Sequence, residues 1–432
     1  MVAFDDGSET HRVLDGRAVA AIHANLSAAS ADITAAKRLS ANRELAFMGD
    51  TKGGAFDISE AQALAMLNEP NPHGWPNSDV LLPWVNGMDV TSRSRGMFII
   101  DFGVERSAAQ SMCYELPFEY VNRQVRPARL ENKRPLYAKY WWRHVEPRPG
   151  MLAAIESLPR FLTTVAVAKH RLFAWMEAPT LPDHQVFAFA RDDDFFFGVL
   201  HSRVHEVWAL KLGTRLETRP RYTPTSCFET FPFPHPDDTE AHWLESVARL
   251  RAAHYHTDQS NVVREDPPPR TPDEHRVAIA AIARELNDLR ERWLNPPEWT
   301  ETRLLTFPGT AAGPWARYVD KATVNPQSGV GLVRYPRVEP RDAECAAKLA
   351  KRTLTKLYND EKAPRPAWLI HIHARLDAAV AAAYGWPADL SDEQILTRLL
   401  ALNHERAAVE NTAVPPAKKP RLSRERREDE ML

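Results

Sequence analysis

His201 and His205 stand four residues apart in a stretch of helical periodicity, the spacing at which two imidazoles reach one zinc ion. The zinc-hydrolase pattern also needs a glutamate directly after the first histidine, and position 202 is serine. The pair therefore reads as polar surface or as satisfied partners of the core rather than as a metal site. Asp192, Asp193 and Asp194 have the charge to hold a cation, but an N-cap with first-turn carboxylates accounts for them fully. Cys113, Cys227 and Cys345 lie far apart and form no CxxC pair, so neither a disulfide framework nor a zinc ribbon is expected. No serine or cysteine is arranged as a nucleophile with its base. Charge is more informative. Between Arg123 and Arg148, eight cations (Arg123, Arg126, Arg129, Lys133, Arg134, Lys139, Arg143 and Arg148) face only Glu131 and Glu146. That excess of six is interleaved with Tyr137, Tyr140, Trp141 and Trp142. Cations in such a run can neutralise phosphates, and the aromatics can stack or wedge against bases. The alternative is a solvated basic helix whose aromatics turn into the core.

The elements that must position these groups centre on Gln185–Pro234. Val186 to Phe189 is an unbroken apolar run of strand length, and the three aspartates open a helix running to Gly213. Phe197, Leu200, Val204, Val207 and Trp208 give that helix an apolar face, and Gly213 occupies the place of a left-handed C-cap. Thr223 to Pro234 reads as a short strand. Upstream, Met1–Phe4 reads as a strand, and Asp15-Gly16 marks a two-residue hairpin turn within Arg12–Val19. Ser59 opens a short helix, Asn71 to Asn77 form a turn cluster, and Met97–Ile100 is a buried strand. Ser107 caps a helix that leads into the basic run. Phe161–Val167 and Leu172–Met176 form a strand pair around Lys169-His170-Arg171, placing a second small basic group at a turn.

The wording of several stretches is more specific than these patterns. Phe187 to Leu210, with Tyr222-Thr-Pro-Thr-Ser-Cys-Phe-Glu-Thr-Phe-Pro-Phe-Pro234, resembles the target-recognition domain of MmeI-like adenine DNA methyltransferases, large bacterial enzymes of the type IIG and IIL restriction-modification class. Phe47-Met-Gly-Asp-Thr-Lys-Gly-Gly54, Pro83-Trp-Val-Asn-Gly-Met-Asp89, Pro117-Phe-Glu-Tyr-Val121 and Ala383-Tyr-Gly-Trp-Pro-Ala-Asp-Leu-Ser-Asp392 are similar to the same family. The resemblance implies a DNA-binding chain. With a DNA-binding chain implied, the segregated charge makes Arg123, Arg126, Arg129, Lys133, Arg134, Lys139, Lys169 and Arg171 the expected contacts with double-stranded DNA. The resemblance also implies that the complete enzyme uses S-adenosylmethionine to methylate adenine at N6, and that the hairpin near the N-terminus is the end of a methyltransferase domain.

Neither motif of that chemistry is found here in its working context. Asn295-Pro-Pro-Glu298 has glutamate where an adenine-gripping loop carries an aromatic residue, and it follows a helix, so it serves to end that helix. Gly329-Val-Gly331 lacks the preceding strand, following helix and distant acid of a nucleotide-binding turn. No cofactor is expected in this chain and no catalytic or metal-binding residue is assigned. The chain is expected to be inactive alone. Two alternatives stay open: a stand-alone specificity subunit that docks on a separate methyltransferase catalytic chain, or a fragment of a disrupted gene.

The 432 residues, 44% of them hydrophobic and 26% charged, have ordinary soluble composition. No apolar run reaches membrane-span length and no signal sequence opens the chain, so a cytoplasmic protein is expected. The net charge of −2 means that affinity for nucleic acid must come from segregated charge. The fold class expected is α+β, a mixed α/β target-recognition domain followed by a mostly helical C-terminal domain. The boundaries are 1–35 for the hairpin, 36–235 for recognition, 236–409 for the helices and 410–432 for a disordered tail. Within the helical part, helices are expected at Trp243–His254, His275–Leu294, Ala343–Tyr358, Trp368–Tyr384 and from Ser391 through Ala401, with a stiff Asp266–Arg270 linker and an irregular insertion at 300–340.

Overall fold

The structure, a computed structural model, describes residues 11–14, 16–19, 22, 32–216, 219–234, 271–359 and 364–412. The segments Met1–Phe4, Trp243–His254, Asp266–Arg270 and 413–432 lie outside the described residues. The architecture is α+β, as the sequence implies.

Strands β1 (Arg12–Leu14) and β2 (Arg17–Val19) form the expected hairpin, pairing Leu14 with Arg17. The central sheet is antiparallel in the order β3 (Ala46–Met48), β10 (Val186–Phe189), β7 (Arg160–Val165), β8 (Phe173–Glu177). All four residues of β10 are buried because the strand is covered on both faces: Phe187 and Phe189 enter one core and Ala188 the other. An unbroken apolar run is what such a strand requires. A second sheet has the order β4 (Asp57–Ile58), β6 (Phe98–Ile100), β5 (Leu81–Val85), β9 (Leu181–Pro182), with β9 parallel to β5.

Helix α8 (Asp194–His201) is buried along its whole length. The Asp193 carboxylate accepts from the Phe196 amide at 2.7 Å and caps it, as the aspartate run implies. Ser202 then interrupts the helix and caps α9 (Arg203–Leu212). Gly213 ends α9 with φ −69°, not in the left-handed region. Its need for glycine is steric: a Cβ there would lie 2.5 Å from the Arg221 carbonyl and 2.7 Å from that of Ala209. The 223–234 stretch is not a strand either. Pro224–Phe228 forms a π-helical turn that drives Cys227, Phe228 and Phe231 into the core, since Pro224, Pro232 and Pro234 leave few amides for a ladder.

Helices α10 (Pro272–Leu294) and α13 (Ala367–Ala383) clasp α8, and the core built on them runs continuously from Leu162 to Leu399. The helical C-terminal part therefore shares a core with the recognition part across residue 235. The close approach rests on Gly198, where a Cβ would meet Ile279 Cγ2 at 2.8 Å and Ala283 Cβ at 2.9 Å. Gly198→Ala is expected to lower stability by about 1–2 kcal/mol, overpacking outweighing the helix-propensity gain of about 1 kcal/mol. Urea unfolding checks this, and an unchanged midpoint contradicts it.

Residues 300–340 are regular where an irregular insertion was expected. β13 (Thr300–Thr310) and β15 (Val330–Pro340) pair over eleven residues each, and β14 (Val319–Asp320) joins them. Leu305, Phe307, Trp315 and Val333 from this ribbon complete the second core. The alternation is diluted by prolines and charged residues on the outer face, which hid the strands from a periodicity reading. The last helix, α14 (Asp392–Thr412), runs well past Ala401 because Asn403, fully buried, binds Lys37 O and Thr230 O at 2.7 Å.

Candidate nucleic-acid interface

The basic run and the segment that leads into it fold as four short helices. A Ser107–Gln110 capping box starts α3 (Ala108–Ser111), and α4 (Glu115–Gln124) follows, held by buried Val121. Pro127 and Pro135 then restart the chain as α5 (Arg126–Leu130) and α6 (Pro135–Lys139). Val121, Val125 and Trp142 anchor these helices in the second core.

Arg123, Arg126, Lys133, Arg134 and Lys139 are exposed on the outside of this layer. Arg123 pairs with Glu119 on the same helix. Arg126 donates to Asn122 Oδ1 at 3.0 Å and lies over the Trp141 ring. Arg134 donates to the Tyr137 hydroxyl at 2.6 Å, and Lys139 sits 4.9 Å above the Tyr140 ring. Lys133, Arg134 and Lys139 have no carboxylate within ion-pair reach among the described residues, so their charge is left for an external anion. The aromatics take the inward position: Trp142 is buried, and Tyr137, Tyr140 and Trp141 are half-buried under the cations.

Two of the expected contacts are interior. Arg129 is 3% exposed and donates from Nη2 to Lys52 O at 3.0 Å and Arg143 O at 3.1 Å. Burial holds its pKa below the ordinary arginine value. Arg171 is 6% exposed and donates to Val165 O at 2.6 Å, Thr164 Oγ1 at 3.1 Å and Pro220 O at 3.3 Å, with its pKa lowered by burial. Both guanidiniums are spent on holding loops together, so neither is a contact to DNA. Lys169 stays exposed at the β7–β8 turn, where Nζ donates to Asn359 Oδ1 at 2.9 Å.

A buried ion pair fixes the basic layer to the sheets. His144 Nδ1 lies 2.9 Å from Asp50 and 4.0 Å from Asp101, and Nε2 lies 2.9 Å from Ile100 O. Both ring nitrogens face oxygens, Nδ1 in an ion pair with Asp50 and Nε2 at the Ile100 carbonyl, an arrangement that favours the charged imidazolium. Burial alone would lower the His144 pKa, but Asp50 and then Asp101 outweigh it and hold the group up at about 9. Asp50 belongs to the Gly49–Gly54 loop. In that loop Gly53 has φ +62° and a Cβ would strike the Val145 side chain, so the loop closes under the basic layer only with glycine there.

The histidine pair has a structural use. His201 Nδ1 lies 3.2 Å from Phe197 O, while Nε2 accepts from the Phe173 amide at 3.1 Å and from Arg290 at 3.0 Å. Burial first, then Arg290, pushes its pKa well below the ordinary histidine value. His205 bonds Leu200 O at 2.9 Å and the Tyr222 hydroxyl at 3.1 Å, and burial takes its pKa down to about 3. Both imidazoles are neutral and turned to internal partners. Arg290 was missed from sequence, although it lies four residues after Leu286 on the buried face of α10. Among the described residues no group of three or more His, Cys, Asp or Glu side chains is placed to hold a metal ion. Asn295 ends α10, and Gly331 lies within β15, each in a setting unlike the catalytic motif it resembles.

Residues 166–235 match a family model described as the MmeI target recognition domain, so this part of the chain is an MmeI-like recognition region. The fold is similar to that of the Type IIL restriction-modification enzyme MmeI solved in complex with DNA. The TM-score is 0.56 at 13% sequence identity, covering 91% of this chain and 39% of that one. At that identity the likeness is one of fold. The chain spans well under half the length of that enzyme. No curated protein matches the chain at a significant level. No helix among the described residues is long and apolar enough to cross a membrane.

Proposed function

We propose that this chain is the DNA target-recognition portion of a restriction-modification enzyme that methylates adenine at N6. The observation that carries the reading is the layer of exposed cations Arg123, Arg126, Lys133, Arg134 and Lys139 on short helices anchored to the sheets of an MmeI-like recognition fold. In this reading the cations neutralise phosphates and fix the register of the duplex, and Lys169 adds a further phosphate contact. Methyl transfer from S-adenosylmethionine belongs to a catalytic domain outside this sequence, on the same polypeptide or on a separate chain, because neither motif of that chemistry is found here in its working context. The setting is the bacterial cytoplasm.

Fluorescence anisotropy of the full chain with a labelled duplex of mixed sequence tests this. Log affinity is expected to fall linearly with log salt, with a slope of about −5 for six phosphate contacts at about −0.9 each. In the same preparation no labelled methyl group is transferred to DNA. A flat salt dependence, or no binding at low salt, overturns the reading.

A further inference from the structure

Four of the large apolar side chains that remain exposed, Met112, Leu116, Leu130 and Leu136, fall on the stretch that forms the basic layer. Leu130 ends α5 and is 55% exposed, while Leu136 lies in α6 and is 40% exposed. The two helices pack against each other. Their neighbours in sequence are Arg126, Lys133, Arg134 and Lys139, all exposed, against the single acid Glu131. The rings of this region do not share that position, since Trp142 is buried and Tyr137, Tyr140 and Trp141 are half-buried. The apolar groups presented outward among the cations are therefore aliphatic.

We infer that Leu130 and Leu136 are the side chains of this layer that contact the bases of duplex DNA, inserting as apolar wedges while the surrounding cations hold the phosphates. The inference rests on the DNA-binding reading above. Phosphate offers nothing to an isobutyl group, so a leucine among phosphate-binding cations gains only from base edges, thymine methyls or base faces. Charge complementarity selects the occupant. A partner for this surface must be densely anionic and also carry apolar faces, and nucleic acid has both. An apolar side chain pressed between base steps partly unstacks them and bends the duplex.

The test compares the full chain with the variant Leu130→Ala/Leu136→Ala, using one mixed-sequence duplex labelled at both ends with a fluorescence-transfer pair. Because both side chains are exposed, the variant is expected to keep the parent's circular dichroism and melting temperature. Affinity should fall about tenfold per leucine, the transfer of burying most of one such side chain, with the salt slope unchanged. The increase in end-to-end transfer on binding should also shrink, and Leu130→Met/Leu136→Met should restore most of both. A variant that binds and bends the duplex like the parent overturns the inference while leaving the DNA-binding reading intact. The same holds if the parent self-associates in sedimentation, the variant becomes monomeric and DNA binding is unchanged, since the face then serves a second copy. A parent that does not bind DNA overturns both readings.

Discussion

Replacing Arg126, Lys133, Arg134 and Lys139 together by glutamate is expected to abolish measurable affinity for duplex DNA at about 0.1 M salt. A slope of about −0.9 per phosphate contact corresponds to about eightfold in affinity for each contact between about 1 M and 0.1 M salt. Four contacts then amount to a factor of several thousand on the order-of-magnitude scale, before the repulsion of the new carboxylates is counted. The loss should be uniform across sequences, because phosphate contacts position the protein without reading bases. All four side chains are exposed, so the variant should fold normally. Arg129 and Arg171 supply the contrast, since each is buried and bound to carbonyl oxygens. Arg171→Met should lower stability while leaving the salt slope of binding where it was. A quadruple variant that binds within tenfold of the parent would place the DNA on another face.

That contrast shows what charge patterning reveals in a sequence and what it hides. The run of cations was visible, but helix phase and the two prolines decide which of them face water. Arg129 differs from Arg126 by three residues, and it lands under the layer against the Lys52 carbonyl. The aromatics of the same run, readable as base-stacking groups, are roofed by their own cations instead. The strand Val186–Phe189 and the Asp193 cap were legible because apolar runs and capping residues act locally. The long β13–β15 ribbon was not, because one face carries Arg303, Glu339 and Arg337 in ion pairs with Glu60 and each other while the other enters a core supplied by distant residues. Family signature residues were legible as words but not as roles. Gly53 admits Val145, Asn86 caps the helix Gly87–Thr91, and the Tyr384 hydroxyl donates to Pro232 O at 2.8 Å. Gly53 and Tyr384 thus join one segment of the fold to another, and Asn86 starts a helix.

Acidification from pH 7 to pH 5 is expected to remove several kcal/mol of stability, with His201, His205 and His373 as the cause. All three are held neutral in the folded chain. Burial lowers His201 well below its ordinary value, takes His205 to about 3 and His373 to about 4. The groups facing them reinforce this: Arg290 lies beside His201 and His373, Arg171 faces His205, and Arg365 faces His373. A histidine whose folded pKa is depressed costs nothing above its unfolded value near 6.5. Below that value the unfolded chain takes up the proton and the folded chain does not, so each histidine lowers stability by about 1.4 kcal/mol per pH unit. Three such groups over about 1.5 units give roughly 6 kcal/mol, large against the 5–15 kcal/mol of an ordinary domain. Asp377 works the other way. Burial raises its pKa to about 6, so it takes up a proton in the folded chain first and returns about 1.4 kcal/mol by pH 5. His144 also works the other way: its pKa, raised to about 9, keeps it charged in the folded chain throughout, while the unfolded chain is fully charged only below its value near 6.5, so His144 returns about 0.8 kcal/mol by pH 5. Urea unfolding followed by tryptophan fluorescence should show the midpoint falling steeply between pH 6.5 and 5. His373→Gln, which keeps an acceptor for the Tyr358 hydroxyl now 2.8 Å from Nε2, should flatten that fall by about a third. Equal stability at pH 7 and pH 5 would mean that water reaches these imidazoles and that the core between α8, α10 and α13 is open.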